Sequence, residues 1–170
     1  MFESATDRAP WLVLGVGNQL FSDEGLGIVA ALKVAAMSFP NIDVLDGVTF
    51  GLAMTPEIEN RKGVLVFDAV VKDGKIAGDV LVLEGDEVPT TRQMLMSVHQ
   101  IGVIDALNAA KLAGTLPELV AACGVVPTSL EDGWGLTPET EAKMDKLVLE
   151  GLKILAKWGA IDASVVPELA

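Results

Sequence analysis

Short apolar runs alternate with amphipathic stretches along most of the chain. Five segments have the length and residue types of strands, at residues 11–16, 42–46, 63–67, 79–84 and 118–125. Four longer segments are predicted as helices, at residues 25–37, 52–60 with an interruption at Pro56, 101–112 and 137–158. Because strands and helices alternate, we predict a three-layer α/β/α sandwich around a mostly parallel, five-stranded sheet with helices on both faces.

Local signals refine this prediction. Residues 79–84 alternate between apolar and polar and follow a short turn at residues 72–75, which leaves no room for a helical crossover. We therefore predict an antiparallel strand at an edge of the sheet. Gly114 is placed as a helix C-terminal cap, and Thr137 with Pro138 as the start of the last helix. We expect a single domain over residues 11–160, with tails at 1–10 and 161–170.

Three polar residues lie at or just past predicted strand ends or beside a predicted helix start. Glu24 follows the first strand, Asp68 ends the third, and His99, the single histidine, precedes a helix. In an open α/β sheet the carboxyl ends of the strands face one crevice, where ligands bind. Two carboxylates and an imidazole converging there predict a site for a divalent cation.

Composition excludes several classes of partner. The net charge of −12 disfavours nucleic acids and anionic membrane surfaces, which require Lys and Arg. No apolar stretch reaches the roughly 18 residues of a membrane span, and the first ten residues lack the apolar segment of a signal peptide. Cys123, the single cysteine, forms no internal disulfide and is predicted as a buried packing residue. We expect a cytoplasmic protein.

Each of the three polar residues also has an ordinary structural interpretation. Glu24 suits the first turn of a helix, where the helix dipole favours an acid, and Asp68 can cap the turn that follows it. A single histidine is most often solvated or hydrogen-bonded. These interpretations stay open at this point.

A nucleotide site is the main alternative in the first loop. Residues 15–20, Gly-Val-Gly-Asn-Gln-Leu, begin like a dinucleotide fingerprint, and Asp46 ends the second strand where a ribose-binding acid would lie. The fingerprint fails at its third glycine, which is Leu20. Asp23 and Glu24 would also repel a pyrophosphate from the helix start. Hydrolase elbows, Walker loops and zinc-protease motifs are absent from the sequence.

An ordered set of short motifs resembles the maturation endopeptidases of [NiFe] hydrogenases. The resemblance extends from about Leu12 to Trp158. The motifs are Leu14-Gly-Val-Gly-Asn18, Ser22-Asp-Glu-Gly-Leu-Gly27, Asp46-Gly-Val-Thr49, Asp68-Ala69, Ser97-Val-His-Gln100, Gly124-Val-Val-Pro127 and Gly135-Leu-Thr-Pro138. No single motif is decisive, but their order and spacing are specific to this family.

The resemblance implies an aspartyl-type endopeptidase. Such an enzyme removes a C-terminal extension from the precursor of the hydrogenase large subunit after nickel insertion, so the precursor is the expected partner. It also implies that Glu24, Asp68 and His99 contact a metal, and that this metal is nickel supplied by the substrate. No organic cofactor is expected.

The resemblance implies a substrate-selecting segment as well, formed by Asp46, Gly47, Val48 and Thr49. Val48 replaces the second glycine of the family motif, which changes the expected backbone path of the segment. The catalytic group is not identified, and Asp46 and Asp23 are weak candidates for an assisting base. A non-catalytic nickel-binding chaperone of the large subunit, using the same three ligands, is the alternative.

Overall fold

The computed structural model describes residues 8–47, 51–90 and 98–167. Within these residues the sheet has five strands, β1 (Trp11–Gly15), β2 (Ile42–Asp46), β3 (Gly63–Ala69), β4 (Val80–Glu84) and β5 (Leu119–Val125). The strand order is β2-β1-β3-β5-β4. Strand β4 is antiparallel to β5, and the other neighbours are parallel. The predicted mostly parallel sheet with an antiparallel edge strand is confirmed.

Helices cover both faces of this sheet. They are α1 (Leu26–Ala35), α2 (Thr55–Ile58), α3 (Glu87–Thr90), α4 (Val98–Ala113), α5 (Pro138–Glu141) and α6 (Met144–Lys157). Helices α1 and α6 share one apolar cluster with the sheet, and α2 and α4 share the other. The predicted α/β/α sandwich is therefore present.

Successive strand residues point to opposite faces, and this alternation fills both clusters from the same strand. In β3, Leu65 and Phe67 are fully buried against α1 and α6, whereas Val64 and Val66 pack towards α4. Both faces of the central strands are apolar, as expected for parallel strands that helices cover on each side.

Several predicted boundaries differ from the structure. The predicted helix at 25–37 begins as a 3-10 turn, Ser22–Gly25, before α1. Asp68 does not end β3, because Asp68 pairs with Gly124 and Ala69 pairs with Val125, which extends the strand to Ala69. The interruption at Pro56 is also wrong, since a 3-10 turn, Gly51–Met54, precedes α2 and the proline lies in the first turn of α2.

The last predicted helix is divided in two. Thr137 caps α5 as predicted, with its side chain accepting a hydrogen bond from Thr140 N. The regular helix then stops at Glu141, because Lys143 N donates to Thr140 O in a tighter turn, and α6 starts at Met144. Gly114 has φ +73° after α4, as its predicted capping position requires.

The described parts of the expected tails contact the domain. Arg61 donates to the carbonyl of Ala9, and Lys62 N donates to that of Pro10 at 2.8 Å. Ile161 is buried, and a 3-10 turn follows at Ala163–Val165. Among the helices of the described residues, none combines the length and apolar character needed to cross a membrane.

Candidate active site

The register of the sheet brings several polar residues to one edge. Gly15 at the end of β1 is level with Asp46 of β2 and with Phe67 of β3. Asp68 is the next residue of β3. The loop after β1 and the turn that contains Glu24 start from this same level, so the predicted carboxylates lie at the carboxyl ends of adjacent strands.

Glycines allow the turn Ser22–Gly25 and the start of α1 to approach the strand ends closely. A Cβ atom at Gly27 would lie 2.3 Å from the carbonyl oxygens of Val16 and Phe67. Gly17, at φ +131°, leaves no space for a side chain, since its Cβ would lie 1.7 Å from Glu24 O. Backbone packing of this kind fixes the position of the turn relative to β1 and β3.

Asp23 is completely buried and connects this turn to a distant loop. Its Oδ2 accepts hydrogen bonds from Thr128 N at 2.9 Å, Ser129 N at 3.0 Å and Thr137 Oγ1 at 3.0 Å. Its Oδ1 accepts one from Thr137 N at 2.7 Å. Burial alone would raise the pKa of Asp23, but the hydrogen bonds from Thr137, Ser129 and their neighbours outweigh it and hold the pKa below its ordinary value.

Glu24, the next residue, is also buried, but one of its carboxylate oxygens lacks a hydrogen-bond donor among the described residues. The residue as a whole is 8% exposed. Its Oε1 atom is buried and accepts no hydrogen bond from the residues that the structure describes. A buried carboxylate oxygen without a donor is unfavourable unless a cation or an incoming donor satisfies it. The geometry at Glu24 therefore fits contact with a positively charged group.

Asp68 is half-buried on the face of β3 that α4 covers. Its Oδ1 accepts a hydrogen bond from Ala69 N at 2.7 Å. The side chain lines a cleft whose other walls are apolar, including Val66 of β3, Val70 just after this strand and Val103 of α4. An apolar surrounding strengthens the interaction of a carboxylate with a cation, because water screens the charge less there.

The remaining predicted residues are described in part. His99 does not precede the helix as predicted but is the second residue of α4, whose backbone is described. Its imidazole lies outside the described residues, as do Val48 and Thr49. Gly47 N donates to Gly15 O at 2.8 Å, which attaches the start of the predicted substrate segment to β1. Among the side chains that the structure describes, no three His, Cys, Asp or Glu residues form a metal-binding group. The three-residue metal site stays a prediction.

Cys123 is on β5, level with Phe67 of β3, and packs on the face of the sheet opposite to the cleft that Asp68 lines. It is fully buried in β5, as the sequence predicts. Burial, together with the charges of Glu150 and Glu84, raises the pKa of its thiol to about 12. A thiol in this state is protonated at neutral pH and is not a nucleophile.

Comparison with known proteins identifies the family. The family model described as "Hydrogenase maturation protease" matches residues 26–154. The chain belongs to this family. A hydrogenase maturation protease is a peptidase, so the chain is a hydrolase rather than the non-catalytic chaperone that was the alternative.

Individual relatives agree with this membership. The Hydrogenase 2 maturation protease of Escherichia coli (strain K12) is 36% identical over 150 residues, which cover 87% of this chain and 92% of the relative. The hydrogenase expression/formation protein HupD of Rhodobacter capsulatus is 36% identical over 152 residues, covering 87% of this chain and 72% of the relative.

Solved structures confirm the fold of the protease. The hydrogenase maturating endopeptidase HybD from E. coli superposes with a TM-score of 0.82 at 33% identity, covering 88% of this chain and 93% of the other. The [NiFe] hydrogenase maturation protease HybD from Thermococcus kodakarensis has a TM-score of 0.71 at 23% identity, with coverage of 85% and 97%. The second likeness supports the fold alone.

The contribution of Asp23 to this region was not predictable from the sequence. The sequence suggests it only as a weak catalytic candidate, whereas its carboxylate is occupied by hydrogen bonds to Thr128, Ser129 and Thr137. Nothing in the local sequence indicates these contacts, because they join segments more than a hundred residues apart.

Proposed function

We propose that this protease removes the C-terminal extension from the precursor of a [NiFe] hydrogenase large subunit, after nickel has been inserted. The nickel in the precursor serves as the recognition element. Family membership supports the reaction class. The observation that supports recognition through a metal is Glu24 Oε1, which is buried at the carboxyl ends of the strands without a donor among the described residues.

In this proposal Glu24, Asp68 and His99 contact the nickel that the precursor carries. Two carboxylates and one imidazole are an incomplete ligand set for nickel, since they offer no thiolate. Cysteines of the precursor would hold the ion and leave positions open for these three residues. The metal is therefore part of the substrate, and the protease itself needs no tightly bound nickel and no organic cofactor.

The protease contributes positioning and proton transfer to the cleavage. We propose the carboxylate of Asp46 as the assisting base, because it lies on the exposed end of β2 beside Gly47 and level with Gly15. Asp23 is the weaker candidate, since its four hydrogen bonds and lowered pKa make it a poor base. We assign no nucleophile, and the buried Cys123 thiol is not a candidate for one.

Selection of the precursor sequence is assigned to residues 46–49. Asp46 and Gly47 start this segment from the sheet edge, and Val48 makes its backbone less permissive than a second glycine would. We place the reaction in the cytoplasm, because the chain's single, buried cysteine suits a reducing compartment.

The decisive experiment compares nickel-loaded with nickel-free precursor, using the same chelator-treated protease. We expect cleavage of the loaded precursor and little or none of the free one, measured by mass spectrometry of the precursor's C-terminal end. Equal rates on both would remove nickel from recognition and leave residues 46–49 as a reader of peptide sequence. If neither is cleaved under conditions where the protease is folded, the proposed reaction is wrong.

Asp68→Asn tests the second carboxylate. The substitution keeps the shape of the side chain and removes its charge from a cleft with apolar walls. We expect processing to fall by at least about a hundredfold with the fold retained, as for loss of a charged group at a reacting site. Asp145→Asn, at a 96% exposed side chain on α6, is the matched control. Undiminished cleavage by Asp68→Asn would exclude Asp68 from the mechanism.

His99→Ala tests the imidazole. A ligating imidazole must be neutral, so nickel or cadmium affinity should decrease as the pH falls through about 6.5, the ordinary imidazole pKa. The substitution should weaken this metal binding, measured by calorimetry, and cost little stability. An unfolded variant, or one that binds metal as the wild type does, would identify His99 as structural.

A further inference from the structure

Two large apolar side chains are exposed beside the turn that carries Glu24. Trp134 is 78% exposed and Leu20 is 59% exposed. Their loops are joined by backbone hydrogen bonds, from Gly133 N to Leu20 O at 3.0 Å and from Ser22 N to Gly133 O at 2.8 Å. We call the area formed by Leu20 and Trp134 the Leu20–Trp134 surface.

The loop that carries Trp134 is held firmly on both sides. Asp23 accepts hydrogen bonds from Thr128 N and Ser129 N before the tryptophan and from Thr137 N after it. Ser22 Oγ donates to the carbonyl of Glu131 at 3.0 Å. The exposure of Trp134 is therefore a property of an anchored loop, so binding a partner here costs little loss of conformational freedom.

The surface adjoins the turn that carries Glu24. Trp134 lines a cleft together with Gln19, Ser22 and Gly25. Ser22 and Gly25 are the first and last residues of the 3-10 turn that contains Asp23 and Glu24. A polypeptide whose metal reaches Glu24 would lie within reach of this cleft.

The charge around the tryptophan indicates what the partner carries. Glu131 and Asp132 are exposed next to it in the loop, and Glu139 is exposed at the start of α5. The whole chain has a net charge of −12. Two copies of such a surface repel each other, whereas a segment with Lys or Arg is attracted.

We infer that the Leu20–Trp134 surface docks the precursor polypeptide, through a segment in which an apolar side chain lies next to a basic one. The apolar side chain packs on Trp134 and Leu20, and the basic one faces Glu131 and Asp132. This inference rests on the proposed function, because it takes the hydrogenase precursor as the occupant. Tryptophan at the centre of an interface commonly dominates the binding energy.

Trp134→Ala is the first test, with nickel-loaded precursor as the probe. We expect KM to rise about tenfold or more while kcat changes less than about threefold, since the surface binds substrate away from the reacting bond. Trp134→Phe should recover most of the affinity. Leu112→Ala, at a 91% exposed leucine near the end of α4, is the control for loss of exposed apolar surface. Equal KM values for Trp134→Ala and the wild type would overturn the inference.

The charged contact is tested by the double variant Glu131→Gln, Asp132→Asn. We expect weaker precursor binding at low salt and a smaller dependence of KM on ionic strength, because fewer charges attract the precursor. An unchanged salt dependence would exclude the basic neighbour from the inference.

A binding measurement separates this inference from the proposed function. Trp11 is buried and stacked on the half-buried Trp158, so Trp134 is the tryptophan most accessible to acrylamide. Precursor should protect the fluorescence of the wild type from acrylamide, and protection should be lost in Trp134→Phe. Protection without cleavage would support docking and reject the proposed reaction. Cleavage without protection would support the proposed reaction and reject docking. If neither cleavage nor protection is observed, both are rejected.

The protease is also measured without precursor. If its own fluorescence becomes protected as its concentration rises, and sedimentation shows a dimer, the surface binds a second copy instead of the precursor and the inference is overturned.

Discussion

Arg61 and Glu24, two buried charged residues at opposite ends of the sheet, differ in their partners. At the amino ends of the strands, the Arg61 side chain is 3% exposed, forms an ion pair with Asp43 and lies 3.5 Å from the carboxylate of Glu57. It also donates to the carbonyls of Ala9 and Glu57. Its Nη2 atom makes no hydrogen bond to the described residues, but it is the atom that lies 3.5 Å from the Glu57 carboxylate, so its charge has an ionic partner. At the carboxyl ends, Glu24 Oε1 is equally buried and accepts nothing from the described residues.

This difference distinguishes a structural charge from a functional one. Arg61 connects the segment before β1, strand β2 and helix α2, so its charge is compensated within the chain. Glu24 lies where a substrate docks in our proposal, and its compensation comes from outside. A buried group left unsatisfied lowers stability, and such groups concentrate where function requires them.

The largest expected effect on stability is that of Arg61→Met. Removing the guanidinium leaves Asp43 without its cation, leaves Glu57 paired with Arg8 at 3.7 Å and takes a donor from two carbonyls, which should lower the free energy of unfolding by about 2–4 kcal/mol. The folded fraction should still cleave precursor at the wild-type rate. Urea unfolding and a cleavage assay on the same sample measure both.

Lys33→Met is the control for this comparison. The Lys33 side chain is 39% exposed and pairs with Asp145 at 3.3 Å. An exposed ion pair contributes about 0–1 kcal/mol, so the control should lose little stability. Similar losses for Arg61→Met and Lys33→Met would contradict the assignment of Arg61 as the structural charge of the amino end.

Asp23→Asn comes next, with an expected loss of about 1–3 kcal/mol at neutral pH. An amide in place of the carboxylate presents hydrogens to donors that already point at it, from Thr128, Ser129 and Thr137. Asp23 is adjacent to Glu24 in the chain. The variant therefore tests whether a charge that stabilises the fold is also present at the carboxyl ends of the strands. Urea unfolding monitors the loss.

The pH dependence of Asp23→Asn gives a second check. The folded-state pKa of Asp23 is lowered, so the ionised carboxylate stabilises the fold above the ordinary pKa of aspartate, about 4, and loses this contribution as the pH falls through the folded-state value. The difference in unfolding free energy between wild type and variant should be constant from neutral pH to about 5 and shrink below about 4. A difference that grows in acid would have the wrong sign for this mechanism.

Glu24→Met should have the smallest effect on stability and the clearest effect on function. A thioether of similar length removes a buried carboxylate that has an unsatisfied oxygen, so the unfolding free energy should change by less than about 1 kcal/mol or increase. Cleavage of nickel-loaded precursor should be abolished. A strongly destabilised variant would show that Glu24 is compensated in the fold, as Arg61 is, and the contrast between the two ends would disappear.

Much of the fold was accessible from periodicity alone. The apolar runs of β1 and β3 and the alternating β4 were sufficient to predict sheet type and the antiparallel edge. The wrong predictions concern the ends of individual elements. β3 continues past Asp68 because Ala69 pairs with Val125, and this pairing outweighs the low β-propensity of aspartate. The division between α5 and α6 depends on a single tight hydrogen bond, from Lys143 N to Thr140 O, which no local pattern indicates.

For the candidate site, the sequence predicted which residue types are present but not their hydrogen bonds. The sequence identified Glu24 and Asp68 by their positions after strands, and a family resemblance supplied their proposed role. It did not reveal that Asp23 is satisfied and Glu24 is not, because this depends on which of two adjacent carboxylates faces residues 128–137. The role of His99 stays a prediction.

The strand order has a consequence for synthesis of the protein. β3 lies between β1 and β5, and Gly63 pairs with Trp11 on one side and with Leu119 on the other. A nascent chain can therefore assemble β1, β2 and β3 long before β5 leaves the ribosome. Until then the future centre of the sheet is an open edge rich in apolar residues, from Val64 to Phe67. Open apolar edges invite intermolecular pairing, so aggregation competes with folding at this stage, and heating or slow translation should expose it.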